Sequence, residues 1–534
     1  MKRTILLGMS LLMLQTGPLP AASIADNGVN PNSVEGRTGV AQVLVDLLQR
    51  SDKIKIDPND YESTSLKDII TFGTPAGFRL KIRYLDFGVA LVEALKSARD
   101  PDLRKRLIEM AQWTHDPKVR AEAVITLASL QDPSHKRYLK EALLDSNVGI
   151  RFAALEALQR WGLPEAVPLI HMAMVRDWSP LMQVYAAQAL LSLGDESGLA
   201  TLWQNLDHNS WVVRAMAARY LGDYASPDDY PKLVTALNRE SKNDYVTAEL
   251  AVAALKLISR KGEKVSYSPA SKGWKENDEV RYTIGKDQTI ELEPLIIVPP
   301  QLRIPPSLQA AAQINQQLLR LMRDRLTSKL EPAQAQDPLL QELNSMVTPT
   351  GFALKTRYSE LSYLLVEGLA GTNDEVLGAE IRKMAAEETN PLIRATALLA
   401  IAYKKDENDI NLFQDALNSK NPIVRMGALE CIDVGRFKDA LPTVAAVSGS
   451  DPSAAIQIYA LQIMAKFGDQ SVRQILMSRL NDPDWPARAM TYWTLSRYGD
   501  PEDYGLIQSH LASEQNPFVQ AEIALACLKL TPLK

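Results

Sequence analysis

Side chains able to do chemistry are few in this 534-residue chain, and they are scattered. There are five histidines (His115, His135, His171, His208 and His510) and two cysteines (Cys431 and Cys527). No His-Glu pair, CxxC, Gly-x-Ser-x-Gly, P-loop or helix-opening GxGxxG occurs. Metal, thiol, serine-nucleophile and nucleotide chemistry therefore all lack their usual residues. We expect no catalytic residue, no metal and no cofactor. Both cysteines sit in apolar helical stretches roughly 30 Å apart, at about 10 Å per stacked layer, and read as free core thiols.

The polar residues that do recur point to binding or to structure. Arg120, Arg151, Arg214, Arg394, Arg425 and Arg488 return at regular spacing, with Gln183 and Gln457 taking the third place in each series. An Asp stands shortly before several of them (Asp116, Asp145, Asp207), suited to capping a helix start. These arginines read as structural. A second element is Thr74-Pro75-Ala76-Gly77-Phe78-Arg79-Leu80-Lys81-Ile82-Arg83-Tyr84, matched at eight of eleven positions by Thr348 to Tyr358. Thr before Pro is an N-cap and first helical position. It leaves unexplained why Lys81, Arg83 and Tyr84 recur as Lys355, Arg357 and Tyr358, since three such residues do not share one buried helix face. A polar ligand or a contact between the two copies would account for them; a cap on the first layer is the competing reading. With Trp211 and Trp485, aromatics that anchor a partner or pack between layers, these six are the candidate partner-binding residues.

The elements that must position them are helical repeats. The unit Asp116-Pro117-Lys118-Val119-Arg120-Ala121-Glu122-Ala123, with Leu127 following, returns at spacings of 31, 32, 31 and 34, and again from Arg394 at 31, 32, 31 and 33. About 31 residues hold two helices of about 12 residues, which cannot bury their apolar faces without stacked neighbours. The two series lie 274 residues apart with scarcely a gap, so the chain reads as a tandem copy of one array of about six layers. Between them, residues 261–306 lose helical periodicity. Val280–Ile284 and Thr289–Leu292 flank Gly285-Lys286-Asp287-Gln288, which predicts a β-hairpin over 279–293, followed by a Pro-rich spacer.

The Asp-Pro-x-Val-Arg-x-x-Ala-x-x-x-Leu signature resembles the HEAT-repeat family, in its short bacterial form of phycobilisome-lyase type, over most of residues 100–260 and 372–531. The resemblance implies an all-α superhelix of antiparallel helix pairs whose second helices line a concave face. HEAT-like deoxyhypusine hydroxylases hold iron with His-Glu pairs, which this sequence lacks. HEAT-like DNA glycosylases need a cationic groove, whereas this chain carries a net charge of −5, so nucleic acid is not expected as a partner.

Composition agrees with a helical build: 26 glycines are few for a turn-dense β fold. Lys2 and Arg3, the apolar run Ile5–Leu14 and the small residues Ala21 to Ala25 read as a signal peptide over 1–25, too short to span a bilayer. No later stretch is apolar enough for a membrane span. The expected organisation is signal peptide 1–25, an N-terminal array 37–260, the hairpin and Pro-rich linker 261–306, and a C-terminal array 307–534. The expected function is an exported, bacterial, periplasmic scaffold that binds a protein along the concave face. The alternatives are a cell-envelope glycan-binding protein and a bilin-lyase-type enzyme.

Overall fold

Four helix starts in this chain share one chemical device. Ser179, Asn390, Asn421 and Asn516 each accept a backbone N–H two or three residues on, and a proline follows at the first helical position. The cap satisfies donors that the helix cannot, and the proline gives up an N–H that had no partner anyway. The computed structural model describes residues 34–260 and 309–531, apart from positions 52, 58–60, 86, 98–100, 114–116, 130–131, 162–165, 241, 327, 329, 347, 360 and 371–374. The signal segment 1–25 and the hairpin 279–293 lie outside the described residues, among which there is no strand.

The N-terminal half comprises α1 (Val34–Gln49), α2 (Thr64–Thr71), α3 (Pro75–Leu85), α4 (Phe87–Ser97), α5 (Pro101–Trp113), α6 (Pro117–Ser129), α7 (Lys136–Ala142), α8 (Val148–Trp161), α9 (Val167–Arg176), α10 (Pro180–Ser192), α11 (Gly198–Asn205), α12 (Trp211–Tyr224), α13 (Tyr230–Arg239) and α14 (Asp244–Ser259). The C-terminal half comprises α15 (Gln309–Asp324), α16 (Pro332–Ala335), α17 (Pro338–Ser345), α18 (Pro349–Ser359), α19 (Ser362–Ala370), α20 (Glu375–Glu387), α21 (Pro391–Ala402), α22 (Ile410–Leu417), α23 (Pro422–Gly435), α24 (Leu441–Ser450), α25 (Ala454–Lys466), α26 (Val472–Ser478), α27 (Trp485–Tyr498), α28 (Tyr504–Leu511) and α29 (Pro517–Leu530).

The second helices of successive layers pack in series: α4, α6, α8, α10, α12 and α14, then α19, α21, α23, α25, α27 and α29. The series does not end there. α14 packs on α19, and α29 packs back on α4, with α1 against α29 as α15 is against α14. The solenoid closes on itself as a ring of paired helices, an all-α architecture. Two excursions leave the first layer of each half, α2–α3 and α17–α18, and both cross to the other half. α2 packs on α25 and α27, and α17 packs on α8 and α12.

This crossing explains why the second helices are apolar all round rather than on one stripe. α10, α12, α14 and α25 are buried along nearly their whole length. The expected concave groove does not stand open: the chain's own excursion helices fill it. Gly77 and Gly351 permit the tight turn into each excursion helix. A Cβ at Gly77 would sit 2.3 Å from the Phe72 Cβ, and one at Gly351 2.7 Å from the Met346 Cβ.

Candidate partner-binding surface

The Thr-Pro-x-Gly-Phe elements are α3 and α18. Their caps form as expected, with Thr74 Oγ1 accepting the Gly77 N–H at 3.2 Å and Thr348 Oγ1 that of Gly351 at 3.0 Å. The rest of each element meets the opposite half. The Ala76 N–H donates to both carboxylate oxygens of Glu430 at 3.0 and 2.9 Å, and the Thr350 N–H donates to those of Glu156 at 3.3 and 3.2 Å. Arg83 grips Glu522 with Nε at 2.5 Å and Nη2 at 2.7 Å, and reaches Glu93 with Nη1 at 2.5 Å. Arg357 repeats this on Glu249 at 2.5 and 2.7 Å and on Glu367 at 2.7 Å.

These are buried, charge-assisted, bidentate pairs, the geometry for which a guanidinium fork is suited. Burial alone would push the Glu93 and Glu367 carboxyls up. Arg83 with Lys529 and Arg497 outweighs it at Glu93, and Arg357 with Lys256 and Arg219 outweighs it at Glu367, so both are held at about 2. Lys256 closes the second cluster at 2.6 Å from Glu367 and 2.8 Å from Asp223.

Six of the eight residues expected to bind a partner are therefore corrected. Arg83, Tyr84, Arg357, Tyr358, Trp211 and Trp485 are all buried, and Lys81 and Lys355 are half-buried. The aromatic ones among them meet one another across the halves. Tyr84 meets the edge of Trp485 at 6.1 Å between ring centroids, and Tyr358 that of Trp211 at 5.9 Å. Of the readings the sequence left open, the contact between copies is the one seen. The capping role of Thr74 and Thr348 coexists with it.

The repeated arginines are structural, and all but Arg394 pair with an acid of the following layer. Each reaches an acid 25 or 26 residues later, in the next layer, rather than the Asp before it: Arg151 to Asp177 at 2.8 Å, Arg214 to Glu240 at 3.0 Å, Arg425 to Asp451 at 2.7 Å, Arg488 to Glu514 at 3.0 Å, and Arg120 to Asp145. Arg394 departs from the series and donates to the Ala385 carbonyl at 2.9 Å. Cys431 and Cys527 are free and buried. Among the described residues no His, Cys, Asp and Glu side chains gather in a group that could hold a metal ion, and no helix is long and apolar enough to cross a membrane.

With the concave side filled, apolar contact area is left on the rim. Trp113, Leu144 and Val175 are 74, 72 and 60% exposed, and Trp178 is 72% exposed. The first three follow one another at intervals of 31 residues, the same place at the end of the first helix in three consecutive layers. Their layers touch there, since Gln112 donates to Glu141 at 3.1 Å. Trp178 lies over the Arg151 guanidinium at 4.7 Å, which fixes its ring beside the row. At the matching places of the other half stand Glu387, Asn418, Gly449 and Pro452. The fold does not require apolar side chains there. The signal was present as the 31-residue spacing of Trp113, Leu144 and Val175, but spacing alone does not separate an exposed row from a buried one.

Comparison with known proteins bears on the repeats. The family model described as HEAT repeats matches residues 89–159, 105–175, 167–256 and 441–527. No curated protein sequence matches significantly. Among solved structures, human deoxyhypusine hydroxylase in complex with glycerol is similar at 15% identity and a TM-score of 0.23, over 68% of this chain and 96% of that one. Kap121p bound to Pho4p is similar at 12% identity and a TM-score of 0.34, over 93% of this chain and 53% of that one. A second structure of Kap121p gives 12% and 0.34, over 94% and 51%. The chain thus spans about half the length of Kap121p. HEAT repeats occur in both halves of this chain, stacked as an α-solenoid.

Proposed function

We propose that this chain is a non-enzymatic scaffold that docks a protein partner on the rim of its N-terminal half, not in its concave face. The exposed row Trp113, Leu144, Val175 and Trp178 carries the reading. Stacked layers lie about 10 Å apart, and residues seven apart on a helix are about 10.5 Å apart. An amphipathic helix of a partner, with apolar residues at i, i+7 and i+14, therefore matches the row in register. Glu109 and Glu141 are exposed one turn before Trp113 and Leu144, and the chain is net acidic, which favours a partner helix with basic flanks. Affinity then accumulates over layers without a chemical step.

Matched contacts at an offset of 274 residues support a tandem duplication, after which only one half kept, or acquired, the row. The export reading rests on residues 1–25 and makes the protein periplasmic in a bacterium. Determining the N-terminus of the protein purified from its host's periplasm checks it, with a chain beginning near Ala25 as the expected result.

A photo-crosslinking residue placed at Leu144 and, separately, at Asn418 tests the docking surface. We expect one discrete protein adduct at Leu144 and none at Asn418, lost on Trp178→Asp. We also expect the identified partner, once purified, to bind the wild-type chain and not that variant. Equal labelling at both positions, or binding unaffected by Trp178→Asp, contradicts the proposal.

A further inference from the structure

The two buried arginine clusters are copies of one another that differ by one acid. In the first, Lys256 Nζ lies between Glu367 at 2.6 Å and Asp223 at 2.8 Å. With Arg357 on Glu249 and Glu367, and with Arg219, which also acts on Glu367, three cations there meet three carboxylates. In the second, Arg83, Glu93, Glu522 and Lys529 stand where the first has Arg357, Glu367, Glu249 and Lys256. Arg497 stands where the first has Asp223, and Trp493 where it has Arg219. An acid has become a cation, so Arg83, Lys529 and Arg497 meet only Glu93 and Glu522.

The distances show what this exchange leaves undone. Lys529 Nζ has one acceptor among the described residues, Glu93 Oε1 at 3.5 Å. Arg497 Nη2 approaches the same oxygen at 3.9 Å, beyond hydrogen-bond distance, and its guanidinium makes no hydrogen bond among the described residues. The other Glu93 oxygen and both oxygens of Glu522 are taken by Arg83. Arg497 lies over the Trp493 ring at 4.5 Å, with Arg83 over the same ring at 4.7 Å, which fixes the Arg497 head beside the cluster. The Lys529 and Arg497 side chains are 21 and 29% exposed, against 6% for Lys256. A ligand from solvent can therefore reach the second cluster, where the first is sealed. Both cations lie in the last turns of their helices, α29 and α27, where backbone carbonyls favour positive charge. That does not account for the missing acid, because Lys256 occupies the last turn of α14 and still takes two carboxylates. The ammonium groups register the difference. Against burial, Asp223 and Glu367 hold Lys256 above its ordinary value. Burial prevails at Lys529, where Arg497 and Arg83 oppose the pull of Glu93, and its value falls below.

We propose that Lys529 and Arg497 bind the carboxylate of a small organic acid, which takes the part that Asp223 plays in the first cluster. The ammonium has donors to spare for a second acceptor, and the planar guanidinium fork matches a carboxylate. The cluster lacks one negative charge, and the Glu93 carboxylate stands within 3.9 Å of both cations. A single carboxylate restores the balance, whereas a phosphate dianion would exceed it and meet Glu93. The first cluster, with Asp223 in place, has no such site.

The test is the melting temperature of the purified full chain titrated with acetate and with succinate at fixed ionic strength, with phosphate and sulfate run in parallel. We expect a saturable rise of about 1 °C with the carboxylates. Arg497→Asp copies the first cluster and gives Lys529 an acid of its own. It should melt no lower than wild type without ligand and lose the response to carboxylates. No rise with either carboxylate, an equal rise in Arg497→Asp, or an equal rise with phosphate and sulfate overturns the assignment. A ligand-free Arg497→Asp that folds but melts below wild type overturns it too, because an acid would then not be what the cluster lacks. If Arg497→Asp fails to fold by circular dichroism, Lys529→Gln decides: a lost response supports the site and an undiminished one overturns it.

Discussion

At the scale of single residues, the molecule depends on two buried guanidiniums. Arg83 and Arg357 each hold one carboxylate from their own half and one from the other. Removing Arg83 strips buried Glu522 of its two-pronged partner and leaves Glu93 to Lys529 and Arg497 alone. Arg83→Ala should therefore cost about 3–5 kcal/mol in chemical denaturation. Arg214→Ala, whose pair with Glu240 is nearer solvent, should cost less than Arg83→Ala. The pH dependence follows from the same groups. Glu93 and Glu367 titrate near 2 in the folded chain against 4.5 ordinarily. Their depressed values contribute stability that is fully present above about pH 4.5 and lost as pH falls through about 2. Denaturation midpoints should drop over that window, and Glu93→Gln should flatten the drop while lowering stability at neutral pH. The sequence marked Arg83 and Arg357 as residues that a cap could not explain. It did not reveal their partners, because Glu522 lies 439 residues from Arg83 and no local pattern links them.

Among elements, the repeats were legible and their closure was not. The 31-residue period located the layers because each must bury an apolar stripe on its neighbours, a local requirement written into every unit. Closure depends on how the small rotation per layer sums over the ring, and on excursions whose partners are in the other half. One contact preserves a record of that exchange. Ser63, before α2, meets Asp484 ahead of α27, with the Asp484 carboxylate also accepting the Ser65 N–H at 2.9 Å. At the matching place Ser210 donates to Asp337 at 2.7 Å. The same pair recurs with serine and aspartate exchanged. Ser63→Asp alone sets two carboxylates against each other, and Asp484→Ser alone removes the acceptor. Each should destabilise by about 1–2 kcal/mol, and the double exchange should recover most of that loss. A double-mutant cycle by denaturation reads it, and additive losses would show that α2 does not dock on α27.

For the whole molecule, the central claim is that a HEAT solenoid has closed on itself and filled its own concave face, leaving the rim for recognition. The expectation of an open groove came from the helix-pair pattern, which is the same in open and closed solenoids. Small-angle scattering of the purified chain separates them. A filled ring of this length should have a radius of gyration near that of a compact domain, about 24–27 Å. An open superhelix of twelve layers at about 10 Å each would be about 120 Å long, with a radius of gyration of about 35 Å. A value near 25 Å with a single-peaked distance distribution is the result this account predicts; a value near 35 Å, with an elongated distribution, would contradict it.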